Sequence, residues 1–261
     1  SLLLKKHPEL EDTHISEIGA IVSAACLAHD LGNPPFGHSG ERAISTYFSE
    51  GKGKELKNQL SSMEWDDIIH FEGNANAFRL LTHQFLGRRR GGFVMTYSTL
   101  ASIVKYPYSS QLAKGKPKFG FFTSEARDFQ KIAEELGIKK LSEGGEPLKY
   151  ARHPLVYLVE AADDICYQMM DIEDAHKLKL LTTEEVKALF YQFFDENREK
   201  RAEEVYNIVT DTNEQIAYLR ASVIGILIDE CTRVFMENEE AILNGEFEGT
   251  LIKSIKPELR E

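Results

Sequence analysis

Residues 28–41 read AHDLGNPPFGHSGE. They close an apolar stretch, ISEIGAIVSAACLAHDL at residues 15–31, which is apolar on almost every side and so predicts a helix buried in the core. Thr13 is placed to cap its start, with Glu17 near the first turn. Gly32 ends it, and Pro34-Pro35 forbid its continuation. His29 and Asp30 thus fall at the C-terminal end of a helix expected to be buried. An ionised carboxylate there is costly unless it is paired or bound to a cation. An imidazole and a carboxylate together are good ligands for a divalent transition metal. The plainer alternative is that the pair only caps the helix and satisfies backbone groups. His38 opens a second helix, expected over 39–49. Glu41 stands three residues further on, on the same helix face. A carboxylate beside an imidazole orients it and raises its basicity, the usual support for a general acid or base. The intervening Pro-Pro-Phe-Gly makes a rigid turn able to fold His38 back toward the pair.

A second stretch, ADDICYQMMD at residues 162–171, is acidic within an apolar helix expected over 154–171. Asp163, Tyr167 and Asp171 are spaced by four and are expected to line one stripe. Asp163 and Asp164 point about 100° apart, so only one of them faces any given site.

Helical signals dominate elsewhere. Further helices are expected over 73–86, 95–104, 124–137, 182–208 and 212–238, with Thr182 and Thr212 as cap candidates. Residues 107–122 and 141–150 are loops by their Pro, Gly and Ser content. The fold class is all-α, with no internal repeat and no clear linker between domains.

Composition narrows the function. The chain has 261 residues, 42% of them hydrophobic, an ordinary globular balance. No run of about 18 apolar residues occurs, so no membrane span is expected. No signal peptide is read at Ser1, where the basic pair follows the short apolar run. Against 31 basic residues stand 42 acidic ones, for a formal net charge of −11. Such a protein is a poor general nucleic-acid binder, and a polyanionic substrate would need local cations or metal. Arg88-Arg89-Arg90, followed by Gly91-Gly92, is the clearest basic run and reads first as a solvated loop, second as a phosphate or nucleic-acid contact. Cys26, Cys166 and Cys231 form no CxxC pair. They read as buried, reduced thiols of a cytoplasmic protein. A P-loop is excluded, because no GxxxxGK[ST] occurs.

AHDLGNPPFGHSGE resembles the second metal-binding motif of the HD superfamily in its dGTPase-like form. EAADDICYQMMDIEDA (160–175) resembles that family's later helix. FEGNANAFRLL (71–81) and MTYSTLASIVKYP (95–107) resemble the segments between. The likeness runs from about residue 18 to about 175, in the family's order. It implies an HD-domain helical fold at residues 1–175 with additional C-terminal helices at 176–261, the latter region expected to be incomplete. It implies a divalent metal (Mg, Mn or a similar transition metal) on His29, Asp30 and Asp163, with His38 and Glu41 catalytic. It implies substrate contacts by Tyr167, on phosphate, and Asp171, on the deoxyribose 3′-hydroxyl. Lys105 and Tyr106 lie in a motif near the pocket, though Tyr106-Pro107 also reads as a structural turn. Arg220 matches a phosphate-binding Arg, with a helix-stabilising role the alternative. Asn33 stands where other members carry a second His.

The implied activity is hydrolysis of a deoxynucleoside triphosphate, with dGTP favoured, to deoxynucleoside and triphosphate. Another nucleotide substrate, or a regulatory module that binds without turnover, are the alternatives. A homo-oligomer and a nucleotide or single-stranded DNA effector are further expectations. The family's first His ligand has no counterpart here. His14 begins the same helix as His29 and lies about 22 Å from it along the axis. His7 reads as surface loop. The first motif is therefore expected upstream of Ser1.

Overall fold

A computed structural model of the chain describes residues 2–10, 12–87, 92–113 and 118–259, residues 12 and 13 by backbone alone. The expected Thr13 cap and the Arg88–Arg90 run lie outside what is described. Among the described residues the protein is all-α, and β structure is confined to three isolated bridges. The helices are α1 (Leu2–Lys6), α2 (Asp12–Ala28), α3 (His38–Ser49), α4 (Ser62–Ile69), α5 (Gly73–Thr82), α6 (Tyr97–Ile103), α7 (Ala126–Glu135), α8 (Pro154–Lys177), α9 (Thr183–Tyr191), α10 (Glu196–Ile208), α11 (Thr212–Glu237) and α12 (Glu239–Leu243).

The chain divides into two compact units. The first holds residues 1–159 and 240–247, the second residues 160–239 and 248–261. The division falls inside α8, so residues 160–175 belong to the second unit.

In the first unit α2 packs on α6, which also meets α5 and α7. The core gathers Ala25, Phe78, Leu100, Val104, Phe121 and Phe129. Phe129 stacks on Phe121 and meets Phe78 and Tyr150 edge-on. Buried apolar area of this kind stabilises by about 25 cal/mol per Å². In the second unit α11 contacts α9 and α10, and its Ile216, Leu219, Val223 and Leu227 are buried.

Five local expectations change, the first being the cap of α11, which is Asp211 accepting from Glu214 N in place of Thr212. Among the described side chains of α2 only Ala25 and Ala28 are buried, and Leu27 is 84% exposed, so this helix is apolar without being enclosed. The expected single helix over 182–208 is two, α9 and α10. Asp195 starts the second by accepting from Arg198 N, a local cap that competes with helix continuation. Helix α4 was not expected. Its signal is Ser61-x-x-Glu64, a full capping box: Ser61 Oγ accepts from Glu64 N, and Glu64 accepts from Ser61 N. The cysteines form no disulfide, but Cys166 is exposed, Cys26 half-buried and only Cys231 buried.

A candidate active site at the start of helix α5

The turn after α2 is locked onto the first turn of α5 by close backbone packing. A Cβ on Gly32 would stand 2.0 Å from Gly73 O and 2.1 Å from Ala77 N, so only glycine fits. Asn76 Nδ2 donates to Gly32 O at 2.8 Å. The turn then reverses through Phe36 (φ 67°) and Gly37 (φ 52°). Phe36 is non-glycine in the left-handed region and 91% exposed, a strained position of the kind that gathers at functional sites. Helix α3 begins at once with His38.

His38 Nδ1–H donates to Glu41 Oε2 at 2.8 Å. The ring's Nε2 therefore faces outward, and the side chain is 74% exposed. The other oxygen of Glu41 accepts from Gly73 N, the first residue of α5, at 2.8 Å. Helix N-termini favour negative charge. Burial acts to raise the Glu41 pKa. The His38 and Gly73 hydrogen bonds and the Lys118 charge outweigh it and hold the carboxyl below its ordinary value. An ionised Glu41 fixes the tautomer and direction of His38.

Beside this couple stands the His29–Asp30 pair. His29 Nδ1–H donates to Cys26 O at 2.8 Å, which leaves Nε2 as the atom with the lone pair. Nε2 lies 3.4 Å from Asp30 Oδ1. Asp30 Oδ1 accepts from Asn33 Nδ2 at 2.8 Å. Asn33 packs against Gly73, where a Cβ would stand 2.3 Å from its Oδ1 and 3.0 Å from Glu41 Oε1. Contacts therefore run from Asp30 through Asn33 and Gly73 to Glu41 and His38. An imidazole anchored through Nδ1, with its Nε2 beside a carboxylate, is the donor chemistry of a metal ligand with its supporting hydrogen bond. Among the described residues no group of three or more His, Cys, Asp or Glu side chains is gathered closely enough to hold a metal ion.

His38 and Glu41 line a cleft of about 550 Å³ with Arg42, His70, Phe71 and Lys118. Lys118 was missed in the sequence, where it is one lysine of a loop with no local pattern. Its ammonium donates to Glu72 Oε1 at 2.9 Å. Burial works against its charge, but Glu72 first, then Glu41 and Tyr106, keep its pKa above the ordinary lysine value. Tyr106 thus belongs to this neighbourhood, with Lys105 Nζ 5.8 Å from its ring centroid.

The remaining expected residues lie in the second unit. Asp163 is half-buried and Tyr167 is 69% exposed. Asp171 lines a separate cleft of about 650 Å³ together with Asp164 and Gln168, in which neither Asp163 nor Tyr167 takes part. The one-stripe expectation fails for a geometric reason. At about 100° per residue, a four-residue step drifts by about 40°, so Asp171 sits about 80° round from Asp163 but about 20° from Asp164. Arg220 forms an ion pair with Glu173, which Lys177 also contacts.

Comparison with known proteins adds relatives along nearly the whole chain. A deoxyguanosinetriphosphate triphosphohydrolase-like protein of Pseudomonas aeruginosa is 39% identical over 256 residues, 97% of this chain and 56% of the relative. One of Synechocystis sp. is 35% identical over 272 residues, covering 99% and 60%. The chain is a homologue of the dGTPase-like proteins. A protein named deoxyguanosinetriphosphate triphosphohydrolase, from Serratia proteamaculans, is 29% identical over 274 residues, covering 91% and 53%. The chain spans a little over half the length of the curated relatives it matches. No protein-family model matches it. No described helix is long and apolar enough to cross a membrane.

Proposed function

We propose that this dGTPase-like chain carries the core of an HD-superfamily phosphohydrolase. It hydrolyses deoxynucleoside triphosphates, dGTP favoured, to deoxynucleoside and inorganic triphosphate. The observation that carries this is the His38–Glu41 couple, held on the α5 N-terminus in one cleft with a half-buried lysine, next to an oriented His29–Asp30 pair. The names of the relatives supply the substrate class.

Water adds to the α-phosphorus, the bond from phosphorus to the 5′-oxygen breaks, and a proton ends on that oxygen. His38 Nε2 is the exposed nitrogen able to move a proton in this exchange, with Glu41 fixing the ring. Lys118 offsets phosphate charge in the cleft, and Lys105 and Tyr106 are assigned to the pocket by resemblance. Asn33 holds Asp30 in place. A divalent ion such as Mg or Mn would be held by His29, Asp30 and Asp163. The donor chemistry of the first two fits. When bound, the ion supplies Lewis-acid polarisation of the phosphate. Tyr167, Asp171 and Arg220 are assigned to phosphate and sugar by resemblance. A homo-oligomer, and a nucleotide or single-stranded DNA effector, complete the proposal.

The test is metal content, together with triphosphate and deoxynucleoside release from each of the four deoxynucleoside triphosphates, on the full-length protein. Release of triphosphate, fastest from dGTP, is expected. Release of pyrophosphate or orthophosphate would point to another phosphohydrolase, and binding without turnover to a regulatory module. The sugar assignment has its own test. Asp171→Asn should weaken deoxynucleotide binding by about 1.5–3 kcal/mol, the range for a hydrogen bond to a charged group. It should leave a 2′,3′-dideoxynucleotide almost unaffected. An equal loss on both removes Asp171 from the sugar.

A further inference from the structure

Glu72 is the most enclosed carboxylate near the cleft, with a side chain only 1% exposed. It stands at the N-cap of α5, where Asx or Ser/Thr is the usual choice. Its Oε2 accepts from Asn74 N at 2.7 Å and Ala75 N at 3.1 Å. Its Oε1 accepts from Asn74 Nδ2 at 2.9 Å and from Lys118 Nζ at 2.9 Å. One carboxylate oxygen thus serves the helix start, while the other reaches the cleft wall. A buried charge is retained only when fully satisfied, and these four donors satisfy it. A shorter cap would satisfy the helix but would leave the Lys118 ammonium without its closest anion.

We propose that Glu72 is a positioning residue: it holds the Lys118 ammonium at a fixed point on the wall of the His38–Glu41 cleft, ready for a polyphosphate. A flexible lysine must lose side-chain freedom to bind. Glu72 imposes that loss on folding, so the ligand does not bear it again. The same carboxylate fixes the helix turn whose Gly73 N–H holds Glu41. The proposal rests on a polyphosphate occupying this cleft, as in the function proposed above.

The test uses inorganic triphosphate as the probe, titrated calorimetrically into the full-length protein at one fixed divalent-ion concentration. Glu72→Gln keeps an oxygen able to accept from Asn74 and Ala75 but removes the charge. It should weaken triphosphate binding about tenfold, with a thermal midpoint within a few degrees of wild type. Lys118→Met should weaken it as much, and the double variant no more than Lys118→Met alone. A purely structural cap would act equally in both backgrounds. An equal further loss in the Lys118→Met background, or a loss under twofold from Glu72→Gln, overturns the proposal. Should Glu72→Gln fail to fold, Glu72→Asp replaces it, drawing the carboxylate back by one bond of about 1.5 Å. A severalfold loss that vanishes in Lys118→Met is then expected, and wild-type binding overturns the proposal. Triphosphate binding is read without turnover. A protein that binds triphosphate with this coupling but releases none from any nucleotide refutes the hydrolase function and leaves Glu72 in its role.

Discussion

Gly73→Ala isolates the contact on which the candidate site turns. A Cβ there would stand 2.3 Å from Asn33 Oδ1, 3.0 Å from Glu41 Oε1 and 3.4 Å from Asn33 Cα. Carbon contacts relax at about 3.5 Å, so Asn33 or the start of α5 must move by about 1 Å. If Asn33 turns away, Asp30 loses its 2.8 Å hydrogen bond. If α5 retreats, the 2.8 Å bond from Gly73 N to Glu41 stretches and His38 loses its anchor. A hydrogen bond to a charged group contributes about 1.5–3 kcal/mol, and a misplacement of about 1 Å at a reacting group costs about 10²-fold in rate. Alanine also favours the helix by up to about 1 kcal/mol over glycine, which offsets part of the strain. The expected outcome is a fall in kcat/KM of about 10²-fold with a loss of stability below about 2 kcal/mol. Steady-state kinetics and urea unfolding of the same preparations measure both. Asn33→Ala/Gly73→Ala should be no slower than Asn33→Ala alone, because the clashing Oδ1 is gone. Full activity in Gly73→Ala, or an additive loss in the double variant, would refute the reasoning.

Three other outcomes are expected. His38→Ala should lower kcat by about 10²–10⁴-fold with metal content almost unchanged, whereas Asp30→Ala should lose both; equal metal loss in the two would erase the distinction between proton transfer and ligation. Burial lowers the His153 pKa to about 4, and its Nδ1 accepts from Leu155 N at the start of α8. The folded state therefore binds fewer protons there than the unfolded state below pH 6.5, so stability should fall as pH drops from about 6.5 toward 4; His153→Gln should flatten that part of the curve, and an unchanged slope in thermal unfolding would count against it. Burial, with Asp164 and Glu230, pushes the Cys231 thiol up to about 11, while Cys166 is exposed. A maleimide should label Cys166 first in the native protein, as peptide mapping would reveal, and early labelling of Cys231 would contradict this.

The pattern of residues 28–41 determined a good deal by itself. Gly32 and the two prolines stop α2, and His38 and Glu41 at i, i+3 share a face on any helix. These are local facts, fixed by backbone sterics and helical period, and the hydrogen bond at 2.8 Å follows from them. The all-α class followed from periodicity in the same way. Long-range relations were decided by tertiary structure. That Gly73 reaches back to Glu41 across 32 positions, and that Lys118 reaches Glu72 across 46, depends on which turns pack together. Enclosure was also non-local: α2 is apolar on almost every side, yet among its described side chains only Ala25 and Ala28 are buried, because composition states what a helix could bury and packing partners state what it does. Along α8 the four-residue spacing of Asp163, Tyr167 and Asp171 suggested one stripe. The drift of about 40° per step instead turned Asp171 toward Asp164 and Gln168, since 3.6 residues per turn is not four.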